Sequence, residues 1–424
     1  MATATVVTTT PRQQIFTHTL PNGLTLVGQP MAAVKSISFS FLLPLGSATD
    51  PIGRGGTANL LSEWVVRGAG HRDNRALSEF LDGLGLQRGQ GATRQTSSFE
   101  GVLLGPQLTA ALEAYADILL RPRLDPAEFE QTRETVLQEI DAMEDQPTAK
   151  WSRELWRRWW PFPYGRPVEG TRAELEALTP EQAAEDWREG YRPQGAILAM
   201  AGDFDFPAVR DTVERLFGGW SGPARPVPAG PDERIRVSRI VEPIEQTHVG
   251  VACETVPFGH PDYYDLNIAV RVLSGGMGAR LFTEVREKRA LCYSVSAGTY
   301  VLRGQGALVA YANPEPPKAD EALRVLLAEL RRACAEGVTE AEVARAKTGV
   351  KSRLVQSNES TRSRAGIIAG DWFHLGRVRP TAEIVSAVDA VTVASVNDFL
   401  RRHPFRRFTL VTLGPKEVET PDLD

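Results

Sequence analysis

The chain has 424 residues, 42% of them hydrophobic and 24% charged, and carries a net charge of -5. That length exceeds one ordinary core and points to two domains of about 200 residues each, while the acidic balance offers no electrostatic case for nucleic acid or an anionic membrane. Three cysteines, Cys253, Cys292 and Cys334, show no Cys-x-x-Cys spacing, which argues against a disulfide framework or a thiolate zinc site and fits a reducing compartment.

The start, MATATVVTTTPRQQIF, lacks a basic opening followed by an apolar core. It reads as a short disordered threonine-rich lead, not a signal peptide. No apolar run approaches the roughly 20 residues of a membrane helix, so the expected location is cytoplasmic. Strand patterns follow in GLTLVGQ and KSISFSFLL, then helix patterns in TANLLSEWVVRG and NRALSEFLDGLG. Alternating QTSSFEGVLL (Gln95 to Leu104) comes next, with long helical patterns from Gln107 to Ala142. WSRELWRRWWPFPYGRPVEGT, residues 151–171, holds four tryptophans and several arginines. Stacking on nucleic acid would suit such residues, but the net charge opposes it; packing, or an apolar wall facing a partner or peptide, is preferred.

FGGWSGPARPVPAGPDERI, residues 217–235, is rich in Pro and Gly, carries no apolar period and reads as an exposed linker. It divides an N-terminal domain, residues 1–216, from a C-terminal domain, residues 236–424. The second half repeats the order of the first, as an internal duplication would. Strand-like THVGVACETV leads to helix-like YYDLNIAVRVLSG and ARLFTEVREKR. CYSVSAGTYV and GALVAYANP follow, then long helices from Pro317 to about Trp372. Strand pairs plus stacked helices in each half predict an α+β fold: two homologous domains, each a mostly antiparallel sheet covered by helices.

The order strand, strand, glycine-rich turn, apolar helix, with a long helix about 75 residues later, resembles the pitrilysin/insulinase family of zinc peptidases, over nearly the whole chain from LPNGLTLV to FTLVTLG. Active members of that family carry an inverted motif, His-x-x-Glu-His, on this first helix. Two imidazoles four residues apart hold one zinc, and the intervening glutamate is general base to the metal-bound water. Here the motif falls on Asn59-Leu60-Leu61-Ser62-Glu63. Asn59 stands for the first histidine, Ser62 for the base and Glu63 for the second histidine; Glu139, in RETVLQEIDAMEDQP, stands for the third ligand. The six histidines are His18, His71, His248, His260, His374 and His403, no two of them closer than twelve residues. No zinc is therefore expected in this chain. Glu63 and Glu139 remain open as a weak divalent site or a proton-sharing pair, against the plainer reading of Glu139 as a solvated helix residue.

The resemblance is strongest in LSGGMGARLFTEVREKRALCYSV, residues 273–295. The family's glycine-rich segment matches Gly275, Gly276 and Gly278, and its arginine and tyrosine, seven residues apart, fall on Arg286 and Tyr293. In the family this pair faces the zinc site, hydrogen-bonds the substrate backbone and helps stabilise the tetrahedral intermediate. A permanent cation and a directed phenol suit developing negative charge. The plainer readings are an Arg286 paired with Glu284 or Glu287 and a half-buried strand Tyr293. QTSSFEGVLL takes the place of the edge strand that pairs with substrate in active relatives.

The resemblance implies the non-metal-binding subunit of a heterodimeric zinc peptidase, as in bacterial two-subunit enzymes and mitochondrial processing peptidase. A homologous partner with His-x-x-Glu-His would hold the zinc, this chain would contribute Arg286 and Tyr293, and the substrate would be a peptide. Alone, the chain is expected to be inactive and able to homodimerise. The alternative is a scaffold or peptide-binding protein without a peptidase partner.

Overall fold

Apolar residues Ile37, Phe39, Phe41 and Leu43 alternate along SISFSFLL with Ser38 and Ser40, and both sets are buried but for Leu42 between them. A strand covered on both faces needs layers on each side, and this requirement organises the molecule. The computed structural model describes residues 13–231 and 234–424; the threonine-rich lead over 1–12 lies outside them.

The first half contains strands β1 (Phe16–Thr19), β2 (Thr25–Pro30) and β3 (Ser36–Leu43), then helix α1 (Thr57–Trp64). A small ribbon, β4 (Gly68–Ala69) and β5 (Arg72–Asp73), leads to α2 (Asn74–Gly83), β6 (Gln87–Ala92) and β7 (Ser97–Leu104). Helices α3 (Leu108–Leu120), α4 (Pro126–Glu144), α5 (Pro147–Trp159), α6 (Arg172–Ala177) and α7 (Pro180–Gly190) precede β8 (Ile197–Gly202) and α8 (Phe206–Phe217). The second half contains β9 (Val237–Val241), β10 (His248–Thr255), α9 (Tyr263–Ser274), β11 (Cys292–Leu302) and β12 (Gln305–Pro314). Helices α10 (Ala319–Glu336), α11 (Glu340–Asn358), α12 (Thr361–Leu375), α13 (Thr381–Ala390) and α14 (Val393–Arg402) precede β13 (Thr409–Gly414).

The first sheet has the order β1-β2-β8-β3-β7-β6 and the second β11-β12-β10-β13-β9. Pairing is antiparallel except for β2 with β8 and β9 with β13. The α+β expectation therefore holds: two sheets, each covered by helices. Two local expectations change. β7 lies between β3 and β6 and is not an edge; the edge is β6, whose two glycines and lack of β-branched residues hide its strand character. ARLFTEVREKR is not an ordinary helix, because Phe282–Glu287 winds as a π-helix, with Lys288 N–H donating to the Thr283 carbonyl at 3.0 Å. The Pro/Gly-rich segment is mostly exposed and is anchored at two points: Trp220 is buried and donates to the Tyr191 carbonyl, and Arg225 pairs with Asp186 and Glu189.

The halves exchange covering helices. α5, from the first half, lays Trp151, Leu155 and Trp156 on Ala252, Val309, Val411 and Leu413 of the second sheet. α12, from the second half, lays Ala365, Ile368 and Ala369 on Val27, Ile197, Ala199 and Ala201 of the first. The tryptophan-rich segment is thus internal packing. Among the described residues no helix is long and apolar enough to cross a membrane.

Candidate functional site

The start of α1 is held by a buried carboxylate. Asp50 accepts hydrogen bonds from the backbone N–H of Gly56 at 2.8 Å and of Ala58 at 2.9 Å. Burial pushes its pKa up to about 7, against the pull of these donors and of Arg166. Arg166 in turn donates to the Asp50 carbonyl at 2.7 Å. Gly56 has φ +86°, and a Cβ there would run into the carbonyl of Glu169, so this crossing of two loops requires glycine. At its other end α1 is locked to α4: Trp64 Nε1 donates to the Asp125 carbonyl at 3.0 Å, and its ring meets Phe129 at 5.0 Å.

This frame presents the positions singled out from the sequence. Ser62 is fully buried and its hydroxyl donates to the Asn59 carbonyl at 2.7 Å, within the helix. Glu63 is half-buried and accepts from Gln90 Nε2 on β6 at 3.0 Å. Glu139, on α4, is exposed, as a solvated helix residue would be; desolvation by its surroundings and then the negative charges of Glu63 and Glu169 raise its pKa. The two carboxylates are thus within electrostatic reach. Tyr191, from the end of α7, is buried, its hydroxyl has no hydrogen-bond partner among the described residues, and burial followed by the Glu63 charge drives its pKa upward. Gln90, Glu169 and Tyr191 were not apparent from the sequence. They lie far apart in the chain, and no local pattern links them to α1.

Arg286 and Tyr293 come together as their spacing suggests. The Arg286 guanidinium carbon lies 4.3 Å from the centroid of the Tyr293 ring and 4.7 Å from that of Phe282. Glu284 pairs with Lys288 and Arg289 instead, and among the described residues the Arg286 side chain makes no hydrogen bond or ion pair. Its donors therefore remain available. Tyr293 is 74% exposed and sits at the irregularity between Cys292 and Val295 on edge strand β11. A break in register of this kind re-aims a side chain away from the ladder. Ala290, at φ +49°, makes the turn from the π-helix into β11, a conformation costly for a residue with a Cβ. Among the described residues no hydrogen bond or ion pair joins this pair to Glu63 or Glu139.

The glycine-rich segment ends α9 at Gly275, where a side chain would strike the Arg271 carbonyl, and turns at Gly276 with φ +148°. Gly278 faces Arg345 with ordinary clearance. Arg280 then anchors the segment, donating to both carboxylate oxygens of Glu342 at 2.7 Å and to the Gly337 carbonyl at 2.8 Å. Burial resists ionisation of Glu342, but Arg280 and the Thr339 N–H outweigh it and bring the pKa down to about 2. A depressed carboxyl stabilises the fold above its unfolded pKa, and that contribution fades as pH falls toward the folded value. Glu342→Gln should therefore cost about 1.5–3 kcal/mol at neutral pH. In urea titrations from pH 7 to pH 2, the gap between wild type and variant should be constant down to about pH 5 and then close.

Comparison with known proteins gives consistent matches. Residues 33–172 match the family described as Insulinase (Peptidase family M16), and residues 177–350 match the Peptidase M16 inactive domain. An uncharacterized zinc protease of Mycobacterium tuberculosis is 29% identical over 404 residues, covering 94% of this chain and 92% of the relative. An uncharacterized zinc protease of Bacillus subtilis is 25% identical, covering 94% and 98%. Among solved structures, a peptidase M16 inactive domain from Pseudomonas fluorescens superposes with a TM-score of 0.86 at 21% identity, covering 97% of this chain and 100% of the other. A chain of complex III2 from Candida albicans superposes with a TM-score of 0.82 at 18% identity, covering 95% and 96%.

Proposed function

Since this chain belongs to peptidase family M16, the insulinase family, we propose that it is the non-catalytic member of a two-subunit zinc peptidase. The residues at the family's metal position do not fit zinc. Asn59, Ser62, Glu63 and Glu139 offer only amide, hydroxyl and carboxylate groups, and the Ser62 hydroxyl is directed at a carbonyl of its own helix. Tetrahedral zinc favours imidazole or thiolate donors. The metal and its activated water belong to a homologous partner bearing His-x-x-Glu-His.

The observation that carries this reading is the Arg286–Tyr293 pair, stacked, displayed on an edge strand and without a carboxylate partner. Within the assembled enzyme Arg286 donates to the carbonyl of the scissile peptide and Tyr293 to the charge that develops there. Edge strand β6, with Gly89 and Gly91 open to space, adds a backbone ladder on which an extended peptide can pair. Cleavage of a quenched fluorescent peptide tests the reading with this chain, the partner, and their mixture in the presence of zinc. Activity in the mixture alone is expected. Chelator-sensitive activity of this chain by itself would overturn the proposal, and silence in every tube with a folded, zinc-loaded partner would leave a peptide-binding or scaffold protein.

A further inference from the structure

The exchanged helix α12 carries the one arginine or lysine that is fully buried among the described residues, Arg364, at 0% exposure. Other arginines that reach inward are neutralised: Arg225 by Asp186 and Glu189, Arg379 by Asp371, and Arg280 by Glu342. Arg364 has no such carboxylate against it. Its Nε donates to the side-chain oxygen of Gln29 on β2 at 2.5 Å, and neither of its terminal nitrogens has a hydrogen-bond partner among the described residues. The carboxylate whose charge reaches it, Asp371, is already gripped by Arg379 through both oxygens. Residues 1–12 contain no Asp or Glu. Burial lowers the Arg364 pKa to about 10, against the pull of Asp371, so the group is charged at neutral pH.

Arg364 belongs to a polar network set in an apolar seam. Gln13 Nε2 donates to the same Gln29 oxygen at 2.9 Å, and the Gln13 side-chain oxygen accepts from the Thr381 N–H at 2.8 Å. The Thr381 hydroxyl is buried and also without a partner among the described residues. It opens α13, whose N-cap residue, Pro380, supplies no side-chain cap. Next to Arg364 along α12, Ala365, Ile368 and Ala369 lie on Val27, Ile197, Ala199 and Ala201. A lone charge in such a seam is costly, and each unsatisfied N–H adds to the cost. Water can accept hydrogen bonds but leaves the charge standing, whereas an anion supplies acceptors and the opposite charge together. Valence follows from balance: a divalent anion would only reverse the sign of the excess charge. Size follows from seclusion, because the ion must shed its water and fit among close-packed side chains.

We propose that the Arg364 guanidinium binds a small monovalent anion, chloride or a formate-sized carboxylate, which holds α12 of the second half on the sheet of the first. The two terminal nitrogens can grip a halide between them or pair in parallel with two carboxylate oxygens. The anion is then part of the clasp between the halves, and its occupancy sets how firmly they are joined.

Urea unfolding of the full chain tests it at constant ionic strength, after exhaustive dialysis into sodium gluconate, whose anion is too large for a secluded site. Sodium chloride or sodium formate then replaces gluconate stepwise. At least one of the two should raise the folded-to-unfolded ratio along a saturating curve, about hundredfold when it reaches a hundred times its Kd. A rise with chloride alone would assign a halide, and with formate alone a planar oxyanion. Gln29→Glu brings a carboxylate to the guanidinium on the chain itself, so this variant should be more stable than wild type in gluconate and lack the saturating rise. Arg364→Met should lack it too; should that variant fail to fold, Gln29→Glu decides. Crystals grown in the stabilising salt should show the anion against the guanidinium. No saturating rise in wild type, a rise that Gln29→Glu shares, or a water molecule in the anion's place would overturn the proposal.

Discussion

Peptide cleavage by this chain mixed with its His-x-x-Glu-His partner is expected to fall about 10²–10³-fold in kcat when Arg286 becomes alanine. The guanidinium is held by ring faces alone, so its N–H donors are free for substrate. Oxyanion stabilisation appears in kcat, whereas contacts made equally with substrate and transition state appear in KM. Tyr293→Phe keeps the ring beneath Arg286 and removes only the hydroxyl, and about a tenfold loss is expected. Arg286→Lys should recover little, because an ammonium neither stacks as a plane nor offers a fork of donors. Arg286→Ala should leave zinc content and subunit association intact. An unchanged kcat would remove Arg286 from the chemistry, and a loss confined to KM would reduce it to a binding contact.

The largest structural loss is expected at Trp151. It is 5% exposed, its ring meets that of Tyr311 at 4.6 Å in a tilted contact, and its Nε1 donates to the Val411 carbonyl at 2.9 Å. Gly250 of β10 makes room for it, since a Cβ there would overlap the ring. Trp151→Ala deletes this packing and leaves a carbonyl without its donor, a cost of about 3–5 kcal/mol. Because Trp151 belongs to the first half and covers the sheet of the second, the loss should appear as uncoupling. Wild type is expected to unfold in urea as one transition and the variant as two. A single transition displaced by under about 1 kcal/mol would show that α5 is only a peripheral contact.

Features written in local pattern were legible in the sequence. Alternation in SISFSFLL and THVGVACETV marks β3 and β10, and the seven-residue spacing of Arg286 and Tyr293 survives as a stacked pair. What escaped depends on partners far along the chain. β6 has the composition of a loop, QRGQGA, and becomes a strand only because β7 lies beside it. The π-helix at Phe282–Glu287 is defined by hydrogen-bond offset, which leaves no mark in the spacing of apolar residues. Glu63 and Glu139 could be proposed as neighbours from the family's pattern, yet Glu169 and Tyr191 reach them through a loop and a helix end with no sequence signal. The tryptophans of residues 151–160 were visible as an anomaly, but their target, the other half's sheet, was not.

The exchange of covering helices also sets a timetable. The first sheet gains its last strand at Gly202, but the helix that seals its second face ends at Leu375. At about 5–20 residues per second of synthesis, that interval is on the order of ten to thirty seconds. Throughout it Val27, Ile197, Ala199 and Ala201 form a bare apolar strip on a growing chain. Such a strip invites a holding chaperone or pairing with a second nascent chain. Release of the first half from the ribosome as a separate product would make that exposure permanent, so a stop codon in the linker would yield an aggregate rather than a working domain.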